Sequence, residues 1–302
     1  MPNTNYDDLL NVSAQRDEET AAWVAESKEN RALCYDMLDR AAAGVAESGT
    51  VLQKYLDVQS RFDRYTSNNA LLIMTQQPEA TRLGDKGYWY SQGIYVKRRE
   101  LKNPVLILEP GKQYTREDES KGQYYNAKKM YDISQTTANQ ETRPPLTYDE
   151  RKLMRALTYY QPYADIMAVD PADMPVQNMG ACFVPEEHKI YACRGLSMGD
   201  MFRSLASEVC HAELSQGEAD YDRAENAMTA YCSAYLLCKK YGVDTQDFTF
   251  DYGPEVFRGM DPKAVRGELG KIQRTAEQLT DRMSRVLEPE RSHAPRRREE
   301  AR

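Results

Sequence analysis

Residues 65–110 carry side chains suited to binding single-stranded nucleic acid. An aromatic run at 88–90 is followed by a cationic triplet at 97–99, with Tyr95 and Lys102 close by in sequence. Aromatic rings can stack on bases while neighbouring cations neutralise phosphates. The same composition also fits a half-buried sheet with a solvated, charged edge. The stretch therefore predicts either a nucleic-acid surface or an ordinary sheet.

Charge is distributed unevenly along the chain. The 302 residues have a formal net charge of -7, which by itself argues against a nucleic-acid-binding protein. Residues 61–130, however, contain 13 Lys and Arg against 8 Asp and Glu. A basic segment within an acidic chain is typical of a nucleic-acid-binding module flanked by other domains.

The remaining composition predicts a reduced, cytoplasmic protein without a membrane span. The six cysteines are scattered and form no C-x-x-C pair, as expected for reduced thiols. No apolar run approaches the roughly 18–20 residues that a membrane span needs. The first residues are acidic and do not resemble a signal peptide. Three histidines make a histidine-rich metal site improbable.

Apolar periodicity predicts helices in the first quarter of the chain and strands after it. Residues 17–76 show three- and four-residue spacing, interrupted at Gly49, with Thr50 and Ser67 as expected N-caps. Strands are expected at 88–90, 94–97 and 105–108, with a polar loop at 114–123. A Thr-, Asn- and Pro-rich linker at 137–145 is the expected domain boundary.

The second half of the sequence is predicted to be mostly helical. Thr147 and Glu150 form a capping-box pattern before an expected helix that ends near residue 159. Two short strands, 180–184 and 189–193, are predicted to form a hairpin. Further helices are expected at 197–214, 222–241 and 261–287, followed by a disordered tail from residue 289. The fold class is therefore predicted to be α+β.

Several spaced motifs resemble those of ArdC-type antirestriction proteins and the related LtrC-like proteins of conjugative elements. They occupy residues 65–73, 77–81, 89–97, 107–110 and 131–136, in the order found in that family. The resemblance implies a small-sheet, single-stranded-DNA-binding domain followed by a mostly helical, zincin-like metallopeptidase domain with a short β-hairpin. The expected divisions are an N-terminal helical extension at 1–49, the DNA-binding domain at 50–140, the zincin-like domain at 146–287 and a tail at 288–302.

The resemblance and the composition together give a set of candidate DNA-binding residues. Some of them also have a purely structural interpretation: Trp89 as a core residue, Ser67 as an N-cap and Asn69 as a first-turn residue. The set is Tyr65, Ser67, Asn69, Tyr88, Trp89, Tyr90, Lys97, Arg98, Arg99 and Lys102.

The zincin-like half carries an altered metal motif. In H-E-x-x-H, two histidines on one helix face bind zinc and the glutamate activates water. The corresponding stretch here begins at Ser207 and continues with Glu208 and, three residues later, His211. The resemblance implies Glu208 as the catalytic base of an active enzyme, with His211 and Glu225 as metal ligands. Ser207 replaces the first histidine, so fewer than three protein ligands remain.

The sequence favours an inactive polar remnant in which Glu208, His211 and Glu225 bond to one another. An active zinc peptidase and an unusual metal site stay open as alternatives. Cys210 points about 100° away from His211 on a helix, and His188 on the hairpin could approach from outside. No cofactor is expected, with zinc at low occupancy as the alternative. Because Ser207 has removed a ligand, Ser207→His should restore the H-E-x-x-H face, and zinc content before and after the change would test this.

The function favoured by the sequence is single-stranded DNA binding by a protein of a mobile genetic element. Its role would be antirestriction or protection of DNA transferred in conjugation, with an inactive metallopeptidase-like domain. The alternative is an active metal-dependent peptidase that is targeted to DNA. A host-defence or conjugation protein could be a further partner. A third alternative is a purely protein-binding antagonist of host defence, in which the acidic surfaces imitate nucleic acid.

Replacing Arg98 and Arg99 together should weaken single-stranded DNA binding and reduce its salt dependence. Each neutralised phosphate contributes a slope of about -0.7 to log affinity against log salt, so the slope should fall by roughly one unit. Fluorescence anisotropy over a salt series would measure it. An unchanged slope would show that both cations lie away from the nucleic acid.

Overall fold

The computed structural model describes residues 7–116, 119–138 and 148–288, and this part of the chain is α+β, as predicted. It contains two three-stranded sheets, one in each half of the sequence. The α-helices are α1 (Asp7–Glu47), α2 (Gly49–Arg61), α3 (Ser67–Gln76), α4 (Lys86–Ser91), α5 (Glu150–Thr158), α6 (Met198–Ser215), α7 (Arg223–Tyr241), α8 (Gly253–Val256) and α9 (Pro262–Leu287). The strands are β1 (Leu83–Gly84), β2 (Val105–Thr115), β3 (Lys121–Asp132), β4 (Asp165–Val169), β5 (Ala181–Val184) and β6 (Lys189–Cys193).

Side-chain caps begin most of the helices. Ser197, Asp222 and Asp261 each accept a hydrogen bond from a backbone N–H in the first turn of α6, α7 and α9. The caps of α2 and α3 are Ser48 and Thr66, not the predicted Thr50 and Ser67. The predicted capping-box residue Thr147 and the expected tail from 289 lie outside the described residues.

The aromatic run at 88–90 forms a helix, which corrects the predicted strand. Asp85 caps α4 by accepting a hydrogen bond of 2.7 Å from the Tyr88 N–H. The next predicted strand, 94–97, is reduced to one antiparallel bridge between Val96 and Thr136. Aromatic residues favour strands only on average, and here the aspartate cap and the burial of Trp89 stabilise one helical turn.

Strands β2 and β3 form a long antiparallel hairpin, and they take up half of the predicted 114–123 loop. Their register runs from Val105 opposite Met130 to Thr115 opposite Lys121. Near the tip, the rings of Tyr114 and Tyr124 lie 4.3 Å apart. A Cβ at Gly122 would come within 2.3 Å of the Tyr114 ring, so glycine allows this ring to cross the partner strand.

Two side-chain amides attach α3 to the edge of β2 that faces away from β3. The Asn69 amide donates to the Leu108 carbonyl (2.9 Å) and accepts from the Leu108 N–H (2.8 Å). Gln76 forms the same pair of bonds with Leu106, both 2.9 Å long. Alternate residues of an antiparallel strand point their backbone groups to the same edge. The two amides thus satisfy polar groups of β2 that its pairing with β3 leaves free.

Helices α7 and α9 contribute to two hydrophobic cores. The first core combines α1, α2, α3 and the β2–β3 hairpin, and the second combines α5, α6, β5 and β6. From α9, Val265, Leu269 and Ile272 enter the first core, whereas Leu279, Met283 and Leu287 enter the second. The expected N-terminal extension shares the first core through Cys34, Leu38 and Val45. Helices α7 and α9, which lie in the expected zincin-like segment, thus also pack in the core of the expected DNA-binding segment.

The second sheet has the order β4-β6-β5. The predicted hairpin is present as β5 and β6, paired from Ala181–Ala192 to Val184–Lys189. Strand β4, which the sequence did not indicate, runs parallel to β6. Helix α6 packs against β5 and β6 and carries the altered metal motif. None of the described helices is both long and apolar enough to cross a membrane.

Replacing Asn69 with alanine should lower the free energy of unfolding by about 2–4 kcal/mol. The change removes two hydrogen bonds and leaves a buried donor and acceptor on Leu108 without partners. Chemical denaturation would measure the loss, with Asn68→Ala as the control because Asn68 is only half-buried on the same turn. Lost DNA affinity at unchanged stability would instead assign Asn69 to a binding surface.

Candidate functional sites

An open groove of about 400 Å³ lies between α4 and the turn of 3-10 helix at Arg98–Lys102. Its floor is apolar, and its rim includes two tyrosines and a lysine. The lining residues are Lys86, Gly87, Tyr90, Ile94, Tyr95, Val96 and Leu101. Folding has therefore brought Tyr90 of the aromatic run to the same groove as Leu101 of the 3-10 helix that carries Arg98 and Arg99.

Tyr90 and Tyr95 present ring surface to solvent at this groove. They are 69% and 56% exposed, and their centroids lie 5.8 Å apart at an interplanar angle of 79°. An edge-to-face pair of this kind leaves ring faces available for further stacking. Two exposed rings beside an apolar surface can stack on a flat aromatic ligand.

Exposed cations flank the groove. Lys86 lies on its rim, and Arg98, Arg99 and Lys102 are exposed on the adjoining 3-10 helix. Arg99 forms an ion pair of 3.1 Å with Glu100, which contributes little because the arginine is largely exposed. These cations can move toward a phosphate with a small loss of protein contacts.

Trp89 and Lys97, two of the predicted DNA-binding residues, have structural positions instead. Trp89 is fully buried, and its indole N–H donates to the Tyr131 carbonyl at 2.9 Å. The Lys97 ammonium donates to the Ser134 carbonyl at 3.0 Å. The prediction that Trp89 stacks on DNA is thus wrong for this structure, because the ring has no exposed face.

The other predicted residues outside the groove are also packed into the fold. Tyr88 is half-buried, bonds through its hydroxyl to Arg82 and packs edge-on against Trp89. Tyr65 is half-buried and contacts Phe62 edge-to-face. Ser67 and Asn69 are buried in α3. Of the ten candidates, Tyr90, Arg98, Arg99 and Lys102 are the exposed ones, while the sequence reasoning did not single out Lys86.

The second candidate site is a buried polar cluster on α6. Both carboxylate oxygens of Glu208 accept hydrogen bonds of 2.7 Å from the guanidinium of Arg223, at the start of α7. The Phe183 N–H of β5 donates a third bond, also 2.7 Å. Glu208 is nearly inaccessible to solvent, so this bidentate pair replaces the hydration of the carboxylate.

His211 lies one turn further along α6 and is held neutral. Its Nδ1 is 2.8 Å from the hydroxyl of Tyr221. Burial, and to a smaller extent the positive charge of Arg223, lower the pKa of His211 to about 3. The neutral imidazole either accepts from the Tyr221 hydroxyl through Nδ1, with its proton on Nε2, or donates to that hydroxyl from Nδ1, according to its tautomer.

Glu208 and His211 are buried, but they do not bond to each other or to Glu225 as the sequence predicted. Glu208 and His211 bond to Arg223 and Tyr221, whereas Glu225 is exposed at the first turn of α7. Neither partner belongs to the metal motif, and no spacing rule connects Arg223 with Glu208, fifteen residues away across a turn. Only the packing of α7 against α6 reveals them.

Comparison with solved structures shows which known fold this is. The antirestriction protein ArdC from the R388 plasmid in metal-free form matches 73% of this chain and 85% of its own, with a TM-score of 0.50 and 15% identity. Its Mn(II)-bound form matches 84% and 97%, with a TM-score of 0.53 and 14% identity. The chain has the ArdC fold. No protein-family model and no curated protein matches the sequence.

One of the two ArdC structures holds Mn(II). The described residues of this chain do not form a site that fits a divalent metal ion. Over the described ranges, no three His, Cys, Asp or Glu side chains are grouped closely enough to hold a metal ion. Glu208 is bonded to Arg223 and Phe183, Ser207 is a weak donor, and His188 is exposed on the β5–β6 turn.

Proposed function

We propose that this chain binds single-stranded DNA and that the groove beside Tyr90 and Tyr95 receives its bases. The observation that supports this function is the exposure of two tyrosine rings and Lys86 at one groove, with Arg98, Arg99 and Lys102 exposed on the adjoining 3-10 helix. A base has a flat apolar face and a phosphate within a few ångströms of it, so this ligand uses both features at once. The clustered cations resolve the apparent conflict with the chain's net charge of -7.

Single strands suit this groove better than duplexes do. In a duplex the base faces are covered by stacking, and only base edges and the phosphate backbone are accessible. Tyrosine faces can contribute to binding only when bases are unstacked. The expected preference is therefore for an unpaired strand, with little sequence selectivity, because every base offers a π face.

The biological role proposed for this binding is antirestriction or protection of transferred DNA of a mobile element. The shared fold with ArdC, an antirestriction protein of a plasmid, supports this proposal. All six cysteines are buried and unpaired, which suits the reducing cytoplasm. A host-defence or conjugation protein is a further proposed partner.

We further propose that the α6 half has no peptidase activity. A zinc peptidase needs three protein ligands and a carboxylate that can take a proton from metal-bound water. Glu208 is bonded to Arg223 instead, and Glu225 lies outside the cluster. This geometry gives the alternative of a DNA-targeted peptidase no specific support.

Tyr90→Ala and Tyr95→Ala should each weaken binding to oligo-dT by about 1–3 kcal/mol, the usual contribution of a stacked base. Fluorescence anisotropy at constant salt would measure the dissociation constants. Tyr160→Ala is the matched control, because Tyr160 is 60% exposed but belongs to the other half of the chain.

The result that would disprove the groove as a base site is equal affinity of the wild type and both groove variants. An abasic strand of the same length provides a second check. It should bind the wild type more weakly than oligo-dT does, and the difference should shrink in the Tyr90→Ala variant. A constant difference would place base contacts elsewhere on the protein.

A further inference from the structure

We propose that the β2–β3 hairpin carries a second base-stacking site, so that one DNA strand runs from the groove onto the outer part of the hairpin. This outer part, residues 110–116 and 119–125, is here called the arm. The inference rests on the proposed binding of single-stranded DNA and adds a second set of contacts to it.

The aromatic residues of the arm do not contribute to the hydrophobic cores. Tyr114, Tyr124 and Tyr125 are 37%, 51% and 39% exposed. Over the described residues, neither core includes a side chain of the arm. Large exposed rings that are grouped in this way are typical of a binding surface, whereas single exposed apolar residues are ordinary.

Two of these rings form a pair on one face of the arm. The rings of Tyr114 and Tyr124 lie 4.3 Å apart with an interplanar angle of 38°. Side chains alternate between the two faces of a strand, so Tyr125 points away from this pair. The pair offers a broad aromatic surface on which an unstacked base can lie.

The face that carries the tyrosine pair continues toward the groove. Lys128 lies on this face, four residues or about 13 Å along β3 from Tyr124. Its ammonium is 3.2 Å from the carboxylate of Asp85 and 3.1 Å from that of Glu109. Asp85 caps α4 and immediately precedes Lys86, which lines the groove. Lys128 therefore joins α4 to the hairpin and offsets part of the acidic charge between the two sites.

Lysines on both strands of the arm can contact the phosphates of such a DNA strand. Lys112 on β2 and Lys121 on β3 are exposed. The turn at 116–121 contains two basic and three acidic residues, so its net charge does not attract phosphate. We therefore expect the DNA to cross the tyrosine pair rather than to pass around the tip of the hairpin.

The test compares Tyr124→Ala with Tyr125→Ala in binding to oligo-dT of about 16 nucleotides, the upper end of the site size of one small binding domain. Tyr124→Ala should weaken binding by about 5- to 100-fold, as expected for the loss of one stacked base. Tyr125→Ala is the matched control and should leave the affinity unchanged, because it removes the same ring from the opposite face. Tyr124→Phe keeps a ring and should bind as the wild type does. Fluorescence anisotropy gives the affinities, and circular dichroism confirms that each variant is folded.

Isothermal titration with the same oligonucleotide tests whether one strand occupies both sites. We expect one strand per chain. The fold losses of Tyr90→Ala and Tyr124→Ala should multiply in the double variant, because residues that do not touch contribute independently. Two strands per chain would overturn the single path.

The results separate a failure of the arm from a failure of the groove. Weaker binding by Tyr90→Ala, with equal affinities of Tyr124→Ala and the wild type, would overturn the arm and leave the groove as the base site. Equal losses in Tyr124→Ala and Tyr125→Ala would overturn the assignment of the DNA to one face. A loss in Tyr124→Ala with none in Tyr90→Ala would overturn the path from the groove. A wild type that does not bind oligo-dT would overturn the proposed function itself, and this inference with it.

Discussion

The backbone groups of β2 that face away from β3 impose the constraint on which the first half of the structure depends. This edge is buried, so its N–H and C=O groups need partners, and Asn69 and Gln76 provide them. Because both amides lie on α3, the bonds fix the helix against the sheet. The apolar residues of α3 then fill the space between α1, α2 and β2.

The exposed groove follows from this fixed sheet through a short series of contacts. Strand β3 is held by β2, and its Tyr131 carbonyl accepts the indole N–H of Trp89. That bond anchors α4 with Trp89 directed inward. Consecutive helical residues differ in direction by roughly 100°, and Tyr90, the next residue, is exposed at the groove. The buried tryptophan thus positions the tyrosine proposed to stack on DNA.

In the second half of the structure, a charged pair holds the candidate site together, whereas in the first half amide side chains bond to a strand edge. Helix α7 packs against α6 and at its first residue brings Arg223 to Glu208. A fold shared with ArdC does not by itself transfer chemistry, because function resides in the side chains of a site. Here the side chains form a neutral imidazole and a carboxylate–guanidinium pair. Such a cluster stabilises the packing of the two helices.

The sequence by itself determined the fold class, the β5–β6 hairpin and the helices that are capped by Ser197, Asp222 and Asp261. These features depend on local rules, since a capping side chain, an apolar stripe and a short turn all act within a few residues. The sequence also determined that aromatic and cationic residues are concentrated in the stretch proposed to bind DNA.

Only the tertiary structure decided which of those residues are exposed and which partners Glu208 has. Tyr88, Trp89 and Tyr90 are adjacent and chemically alike, so the exposure of each depends on which of the three side chains packs against the sheet. The pairing of Glu208 with Arg223 likewise joins two helices across fifteen residues. Local patterns carry no information on such contacts, because they arise from the packing of distant elements.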